Sequence, residues 1–575
     1  MATKNPTQRK RISDPVTAYA KSVVSGKTVA GPHVRDACQR HLNDLEQAAS
    51  RGFFFDLEAA NRAIGFYRDV LRLNGGEYEG LPYELLDWQC FIVGSLFGWK
   101  NIDDGYRRFR VAYIETAKGS GKSPLAAGIG LYGMMADNEP RAEIYAAATK
   151  KDQAMILFRD AVAMVDQSPA LAERLVKSGT GQSVWNLAYH KTGSFFRPVS
   201  ADDGQSGPRP HIALLDEIHE HKTPTVVEMM RAGTKSRRQA LIVMITNSGA
   251  NKTTVCWHYH DYVNKVCAGS LVDDSIFGYV CAVDEGDDPF KDEKSWYKAN
   301  PSLKHGIPGI KYLREQVTSA RGMPSKEAIV RRLNFCQWTE AENPWIGSEV
   351  WFGCAPEPEF DESLLLNRPC WGGLDLSSTQ DLTAFVLLFE PTFNDKFWRI
   401  KPFFWIPADG LTEKEDKDRV PYRAWVTSGF LNALPGRAIN KLAVLHKLIE
   451  LSATYDIQEI AYDRWRIEDL KAQIEQEGSI LAPLKPFGQG FKDMAPAVDE
   501  LERVLVDQLV KHDANPVLTW CAANAVIDTD PAGNRKVTKE RATGRVDGIV
   551  AAIMAAGTSL SGAAVSQITQ GFVVL

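Results

Sequence analysis

Between residues 61 and about 250, short apolar runs of strand length alternate with longer stretches of helical period. Phe109–Glu115, Ala142–Ala148, His211–Asp216 and Ala240–Asn247 are the strand candidates, with Pro124–Ala136 and Lys151–Asp166 as helices among them. Strands alternating with helices predict a parallel sheet in an α/β domain. Residues 1–60 are charged and mostly helical in pattern, for example over Val34–Arg51, and read as an appended N-terminal helical arm. The less regular stretch from about residue 251, with several Trp and Tyr, reads as a lid-like region that completes a domain over 61–340. A segment rich in Pro, Glu and Trp follows, and 341–364 is assigned as a linker.

The pattern then restarts. Cys370–Leu376, Leu382–Glu390 and Lys396–Ile406 are three consecutive strand candidates. A helix over Asn440–Tyr455, a strand over Glu459–Asp463, helices near Ile467–Gln476 and Met494–Lys511, and a final helix from Val546 complete the order. This predicts a second α/β domain over 365–558. The small, polar residues 559–575 read as a flexible tail.

Composition narrows the class. A chain of 575 residues is too long for one core, and 44% hydrophobic with 24% charged residues is ordinary for a globular protein. With a net charge of −5, nucleic-acid contacts would have to come from local basic patches. The nine cysteines form no C-x-x-C pair and read as reduced intracellular thiols. Cys256, His258 and His260 alternate as on one strand face and lack a fourth ligand, so no zinc site is expected. Met1–Lys27 has no apolar core and no segment is apolar for long enough to span a bilayer, so no membrane association is expected.

Chemistry enters at Thr116-Ala-Lys-Gly-Ser-Gly-Lys-Ser123, between a predicted strand and a predicted helix. In that context backbone N–H groups of Lys118, Gly119, Ser120 and Gly121 cradle phosphates, Lys122 neutralises the β and γ groups, and Ser123 ligates Mg²⁺. Thr116 stands where the usual pattern has its first Gly. Downstream, Ile212-Ala-Leu-Leu-Asp-Glu217 is an apolar strand ending in two acids, an expensive pair to bury without a task. Asp216 is assigned to the Mg²⁺ shell and Glu217 to activation of the attacking water. Thr246-Asn247 ends the next strand and is placed to sense the γ-phosphate. Gln89 is a candidate adenine contact, with a structural place on its helix as the alternative. Arg209, before the Asp-Glu strand, is the candidate finger arginine.

In the second half, Asp375, Asp463 and Asp547 end or open elements in apolar surroundings, and Asp381 lies six residues after Asp375 across a turn. Carboxylates gather only where a cation neutralises them. Hard oxygen ligands suit two Mg²⁺ or Mn²⁺ ions acting on a phosphodiester. The basic run Asn534-Arg-Lys-Val-Thr-Lys-Glu-Arg541 fits either a DNA backbone or a solvated hairpin.

The joint order of Thr116–Ser123, Asp216-Glu217, Thr246-Asn247, Asp375 with Asp381, Asp463 and Asp547 resembles the large terminase subunits of tailed bacteriophages, over roughly Leu81–Ala556. The resemblance implies a P-loop ATPase of the ASCE type followed by a ribonuclease-H-like nuclease. It implies ATP with Mg²⁺ in the first domain and two Mg²⁺ or Mn²⁺ in the second, ligated by Asp375, Asp463 and Asp547 with Asp381 in support. Thr246-Asn247 would couple hydrolysis to movement, and Arg209 would act in trans. The expected partners are double-stranded viral DNA, a small terminase subunit and the procapsid portal. The chain would form a ring there, with a monomer conceivable in isolation, and the expected location is the host cytoplasm. Two rivals stand beside it. A helicase- or restriction-type translocase should show a second motor domain with a G-R-x-G-R-type motif, and 250–575 has none. A non-enzymatic capsid protein with vestigial sites would not be expected to keep Lys122, Asp216, Glu217 and the acidic set.

Overall fold

The computed structural model describes residues 13–200, 207–250, 252, 254–323, 326–339, 345–355, 361–376, 381–418, 420–463, 482–539, 542 and 544–569. The helix expected near Ile467–Gln476 lies outside them. The chain divides into two compact units, one of Met1–Gly249, Thr254–Thr318 and Val330–Trp338, the other of Ala250–Thr253, Ser319–Ile329 and Thr339–Leu575.

In the first unit, helices α1 (Pro15–Val24), α2 (Pro32–Gln47), α3 (Leu57–Val70) and α4 (Asp87–Gly98) precede an eight-stranded sheet. In chain order come β1 (Val111–Glu115), α5 (Lys122–Met135), β2 (Glu143–Ala148), α6 (Lys151–Gln167), β3 (Val176–Ser178), β4 (Asn186–Tyr189) and β5 (Ser194–Ser200). Next are β6 (Ile212–Asp216), α7 (Thr225–Gly233), β7 (Leu241–Thr246), α8 (Val255–Cys267) and β8 (Ile276–Val280). The strand order is β8-β1-β7-β6-β2-β5-β4-β3. Every pair from β8 to β5 is parallel, and β4 and β3 continue antiparallel. The β6 and β7 side chains are all buried, as strands covered on both faces require.

Three expectations are corrected here. The N-terminal arm is not a separate appendage, because the Tyr19 and Tyr279 hydroxyls pair at 2.8 Å and Arg40 donates to the Ile276 and Asp273 carbonyls. Gly31 packs so closely there that a Cβ would lie 1.9 Å from the Ala282 carbonyl oxygen. The region taken as a lid contributes β8, an edge strand of the same sheet. The Cys256–His260 run is the start of helix α8, not a strand, and its buried side chains Cys256, His260, Val263 and Cys267 follow helical spacing.

The second unit is built on β9 (Pro369–Asp375), β10 (Thr383–Phe389), β11 (Trp398–Pro407), β12 (Asn432–Leu434), α9 (Lys441–Thr454), β13 (Asp456–Asp463) and β14 (Leu484–Phe487). Then follow α10 (Phe491–Val506), β15 (Val510–His512), α11 (Pro516–Asn524), the hairpin β16 (Ile527–Thr529) and β17 (Arg535–Val537), and α12 (Asp547–Thr569). The sheet order is β12-β11-β10-β9-β13-β14, with β15 also on β11. β10 runs antiparallel to both β9 and β11, whereas β13 and β14 run parallel to β9.

Strict alternation along β10 explains the layering. Ala384, Val386 and Leu388 enter a core shared with α10, α11 and α12, while Phe385, Leu387 and Phe389 enter another shared with α9. Of the expected linker, residues 345–355 join the first of these cores through Ile346, Trp351 and Cys354. A helix at Ser348–Gly353 buries Trp351, whose ring stacks on His512 at 4.2 Å and whose Nε1 donates to Thr519 at 3.1 Å. Helix α12 runs on to Thr569, into the segment expected to be a flexible tail, and buries small residues such as Ala551, Ala552, Ala555 and Ala556 ahead of it.

Strand β9 carries Asp375 and α12 carries Asp547, and the two meet at Gly373. A Cβ there would lie 1.9 Å from the Ala551 carbonyl oxygen and 2.9 Å from the Ala555 nitrogen. Gly373→Ala is expected to destabilise the second unit by about 3 kcal/mol or more, because backbone cannot yield as a flexible side chain can. A thermal melt indistinguishable from wild type would contradict this packing.

All nine cysteines are free and buried. Among the described residues no helix is long and apolar enough to cross a membrane.

Two candidate active sites

At the carboxyl edge of the first sheet, register aligns Glu115 with Thr246 and Asp216 with Ile245, so β1, β6 and β7 end side by side. β7 lies between β1 and β6 and places Asn247 between the phosphate loop and the acids. The loop turns at Gly119 and Gly121, with φ of 83° and 86°, which favour glycine. Its backbone is held by Thr116 N–H donating to Thr246 O at 3.2 Å and Lys118 N–H to Leu333 O at 2.7 Å.

Lys122 is buried and donates three hydrogen bonds, to Thr116 O at 2.9 Å, Ala117 O at 3.1 Å and Asn247 Oδ1 at 2.6 Å. Asn247 Nδ2 donates onward to Glu217 Oε2 at 3.3 Å. Ser123 Oγ donates to Asp216 Oδ2 at 3.5 Å, putting two hard oxygens where a divalent cation fits. Burial, reinforced by Glu217, pushes the Asp216 carboxyl up to about 7. Burial also pushes Glu217 up, but the His219 hydrogen bond and charge, with Lys122 and Lys118, outweigh it and hold the carboxyl below its usual value. Burial lowers the Lys122 ammonium.

Glu217 has φ 47°, an uncommon conformation for a residue with a side chain, of the kind that concentrates at working sites. His219 was not singled out from sequence. Its Nδ1 lies 3.2 Å from Glu217 Oε2 and 3.1 Å from Thr246 Oγ1. Its position two residues after the Asp-Glu pair was the available signal. Glu115 was missed as well. It is fully buried, receives Tyr113 Oη at 2.8 Å and Trp338 Nε1 at 3.0 Å, and pairs with His260 Nδ1 at 2.8 Å. Of the Cys256, His258 and His260 run, His260 is engaged by that pairing and Cys256 Sγ lies 3.2 Å from Tyr113 Oη.

Gln89 is buried, with Oε1 accepting from Leu86 N–H at 3.0 Å, and its Nε2 lies 3.7 Å from where a Gly121 Cβ would stand. Arg209 is exposed and precedes β6, at the sheet edge opposite Glu217. Roughly 20 Å of strand separates the two.

In the second unit, β9 ends at Asp375 and β13 ends at Asp463, with Leu374 opposite Tyr462 in the parallel register. Asp547 opens α12. The Lys539 ammonium stands between two of these acids, 2.8 Å from Asp375 Oδ2 and 3.1 Å from Asp547 Oδ1. Burial pushes the Asp375 carboxyl up; Lys539 opposes this and Asp547 adds to it. Asp381 pairs instead with Arg545, which also reaches Asp418 at 3.8 Å.

Among the described residues no group of three or more stands close enough together to hold a metal. Asp381, expected to point back to the other acids, is taken up by Arg545, and Lys539 lies between Asp375 and Asp547. An ammonium held by two carboxylates still marks a place where a cation is welcome. Lys539 was passed over as one member of the basic run. The other described cations of that run bind α10, Arg535 through Asp499 and Glu502 and Lys536 over the Phe491 ring at 4.6 Å. Arg541 lies outside the described residues.

Comparison with known proteins also finds two domains, with the boundary between matches at 265–270, ahead of the division between the compact units. The family model described as "Terminase large subunit, ATPase domain" matches residues 87–265, and "Terminase large subunit, endonuclease domain" matches 270–562. The "Terminase, large subunit" of Enterobacteria phage HK97 is 33% identical over 502 residues, 87% of this chain and 95% of the relative. "Protein YmfN" of Escherichia coli (strain K12) is 29% identical over 370 residues, 62% of this chain and 78% of that protein. The crystal structure of the HK97 bacteriophage large terminase covers 87% of this chain and 99% of its own, at 31% identity and a TM-score of 0.42.

Proposed function

Since the chain belongs to the terminase large subunit family, with its ATPase and endonuclease domains, we propose that it drives double-stranded viral DNA into a procapsid and cuts the concatemer. The observation that carries this is the run of contacts from Lys122 through Asn247 to Glu217. It joins a phosphate-binding lysine to a carboxylate through the residue that ends the intervening strand.

In this reading the loop Lys118, Gly119, Ser120, Gly121, Lys122 and Ser123 binds ATP, Ser123 and Asp216 hold Mg²⁺, and Gln89 meets the base. Glu217 takes a proton from the attacking water while His219 orients its carboxylate. Asn247, released from Lys122 or Glu217 as phosphate arrives or leaves, reports the change to β7 together with Thr246. Exposed Arg209 is available to a neighbouring subunit of a ring. The domains divide near residue 339.

In the second domain Asp375, Asp463 and Asp547 would hold the metals. Two Mg²⁺ or Mn²⁺ ions, when bound, supply an activated water and stabilise the leaving oxygen. Asp381 supports the site by fixing Arg545. The portal and a small terminase subunit are the partners this role requires, in the host cytoplasm.

The test is to incubate purified protein with plasmid DNA and Mn²⁺, with and without EDTA, and to follow ATP hydrolysis in parallel. EDTA-sensitive cleavage together with ATP turnover is expected. Cleavage indifferent to EDTA would overturn the metal-dependent nuclease assignment.

A further inference from the structure

We propose that Lys539 is a resident counter-cation that competes with the divalent metal for Asp375 and Asp547, and so sets how tightly the metal binds. This rests on the assignment of those two carboxylates as metal ligands.

The Asp375 and Asp547 side chains are 4% and 13% exposed, and the one ammonium between them touches both. Without a cation, two carboxylates so placed would repel one another. The neighbouring cations are engaged elsewhere, Arg545 with Asp381 and Asp418, and Arg535 with Asp499 and Glu502. Lys539 therefore bears on this pair specifically.

Its attachment fits exchange. The backbone beneath it is pinned where Thr538 N–H donates to Val526 O at 3.0 Å, after the β16–β17 hairpin. The side chain itself is 48% exposed. A lysine carries its charge on a flexible four-carbon stem, so the ammonium can leave the acids for water while the backbone stays in place. Its single charge leaves the pair net negative, and a divalent ion matches the pair better. Metal entry then means displacing Lys539, and that displacement is subtracted from the affinity the acids would otherwise show.

Manganese binding is read by electron paramagnetic resonance on full-length protein stripped with EDTA, comparing wild type, Lys539→Met, Lys539→Arg and Asp375→Asn. Lys539→Met is expected to bind Mn²⁺ about tenfold more tightly, the scale on which groups outside a ligand set move metal affinity. Lys539→Arg should stay near wild type. Unchanged or weaker binding by Lys539→Met overturns the proposal. Asp375→Asn separates the two claims, since Mn²⁺ binding as strong as wild type there would overturn the ligand assignment beneath it. A measurement on wild type avoids dependence on a variant's folding. Acetylation of Lys539 by an amine-reactive ester, followed by mass spectrometry, should accelerate severalfold when Ca²⁺ or Mn²⁺ is added. A rate indifferent to metal overturns the competition.

Discussion

Glu217→Gln is expected to lower ATP turnover by about 10²- to 10⁴-fold, the range for a positioned general base, with nucleotide binding retained. Glutamine keeps the shape and can still accept from Asn247 Nδ2, which lies 3.3 Å from Oε2, but it cannot take a proton from water. Lys122 and Ser123 are untouched, so a fluorescent ATP analogue should bind with near wild-type affinity. The environment of Glu217 favours this role over that of Asp216. Asp216 is pushed up to about 7 by burial and is the poorer anion near neutrality until a cation sits on it, whereas Glu217 is held ionised by His219. Phosphate release by Glu217→Gln within tenfold of wild type would move the base elsewhere.

Asp375→Ala is expected to reduce DNA cleavage by at least about a hundredfold, because a bound metal supplies several kcal/mol of transition-state stabilisation. ATP hydrolysis should persist, since the ATP site is built entirely within the first unit. The carboxylate is buried beside Asp547, and its removal leaves Lys539 with one partner instead of two. Nicking of supercoiled plasmid in Mn²⁺ is the assay. Cleavage at wild-type rate would remove Asp375 from the metal site, and the same measurement on Asp463→Ala asks whether β13 contributes as β9 does.

Much of this was legible in the chain because it depends on local pattern. The apolar strands ending in Asp216, Thr246 and Asp375 were visible from composition and period, and so was the glycine-lysine turn at 116–123. β10 was readable as a strand because its run is continuously apolar, as burial of both faces requires, but which core each residue enters was not. The Cys256–His260 run misled because five residues of alternation are too short to separate period 2 from period 3.6. Only with Val263 and Cys267 included does the helix declare itself. The helical arm looked detached because its partners, Tyr279 and Ile276, lie some 260 and 236 residues away. Pairing of charges was not legible at all. Position along the chain places acids at element ends, but it does not say that Lys539 would reach Asp375 or that Arg545 would claim Asp381.

The cysteines give the molecule a property unrelated to its chemistry. Cys38, Cys90, Cys256, Cys267, Cys281 and Cys336 lie in the first unit, and Cys354, Cys370 and Cys521 in the second, all buried. Burial also pushes thiols such as Cys256, Cys281, Cys370 and Cys521 up, so little reactive thiolate forms in the folded chain. An alkylating reagent must wait for each neighbourhood to open before it can react. The order in which these sulfurs become labelled is therefore an internal clock of local unfolding, with separate hands for the two units.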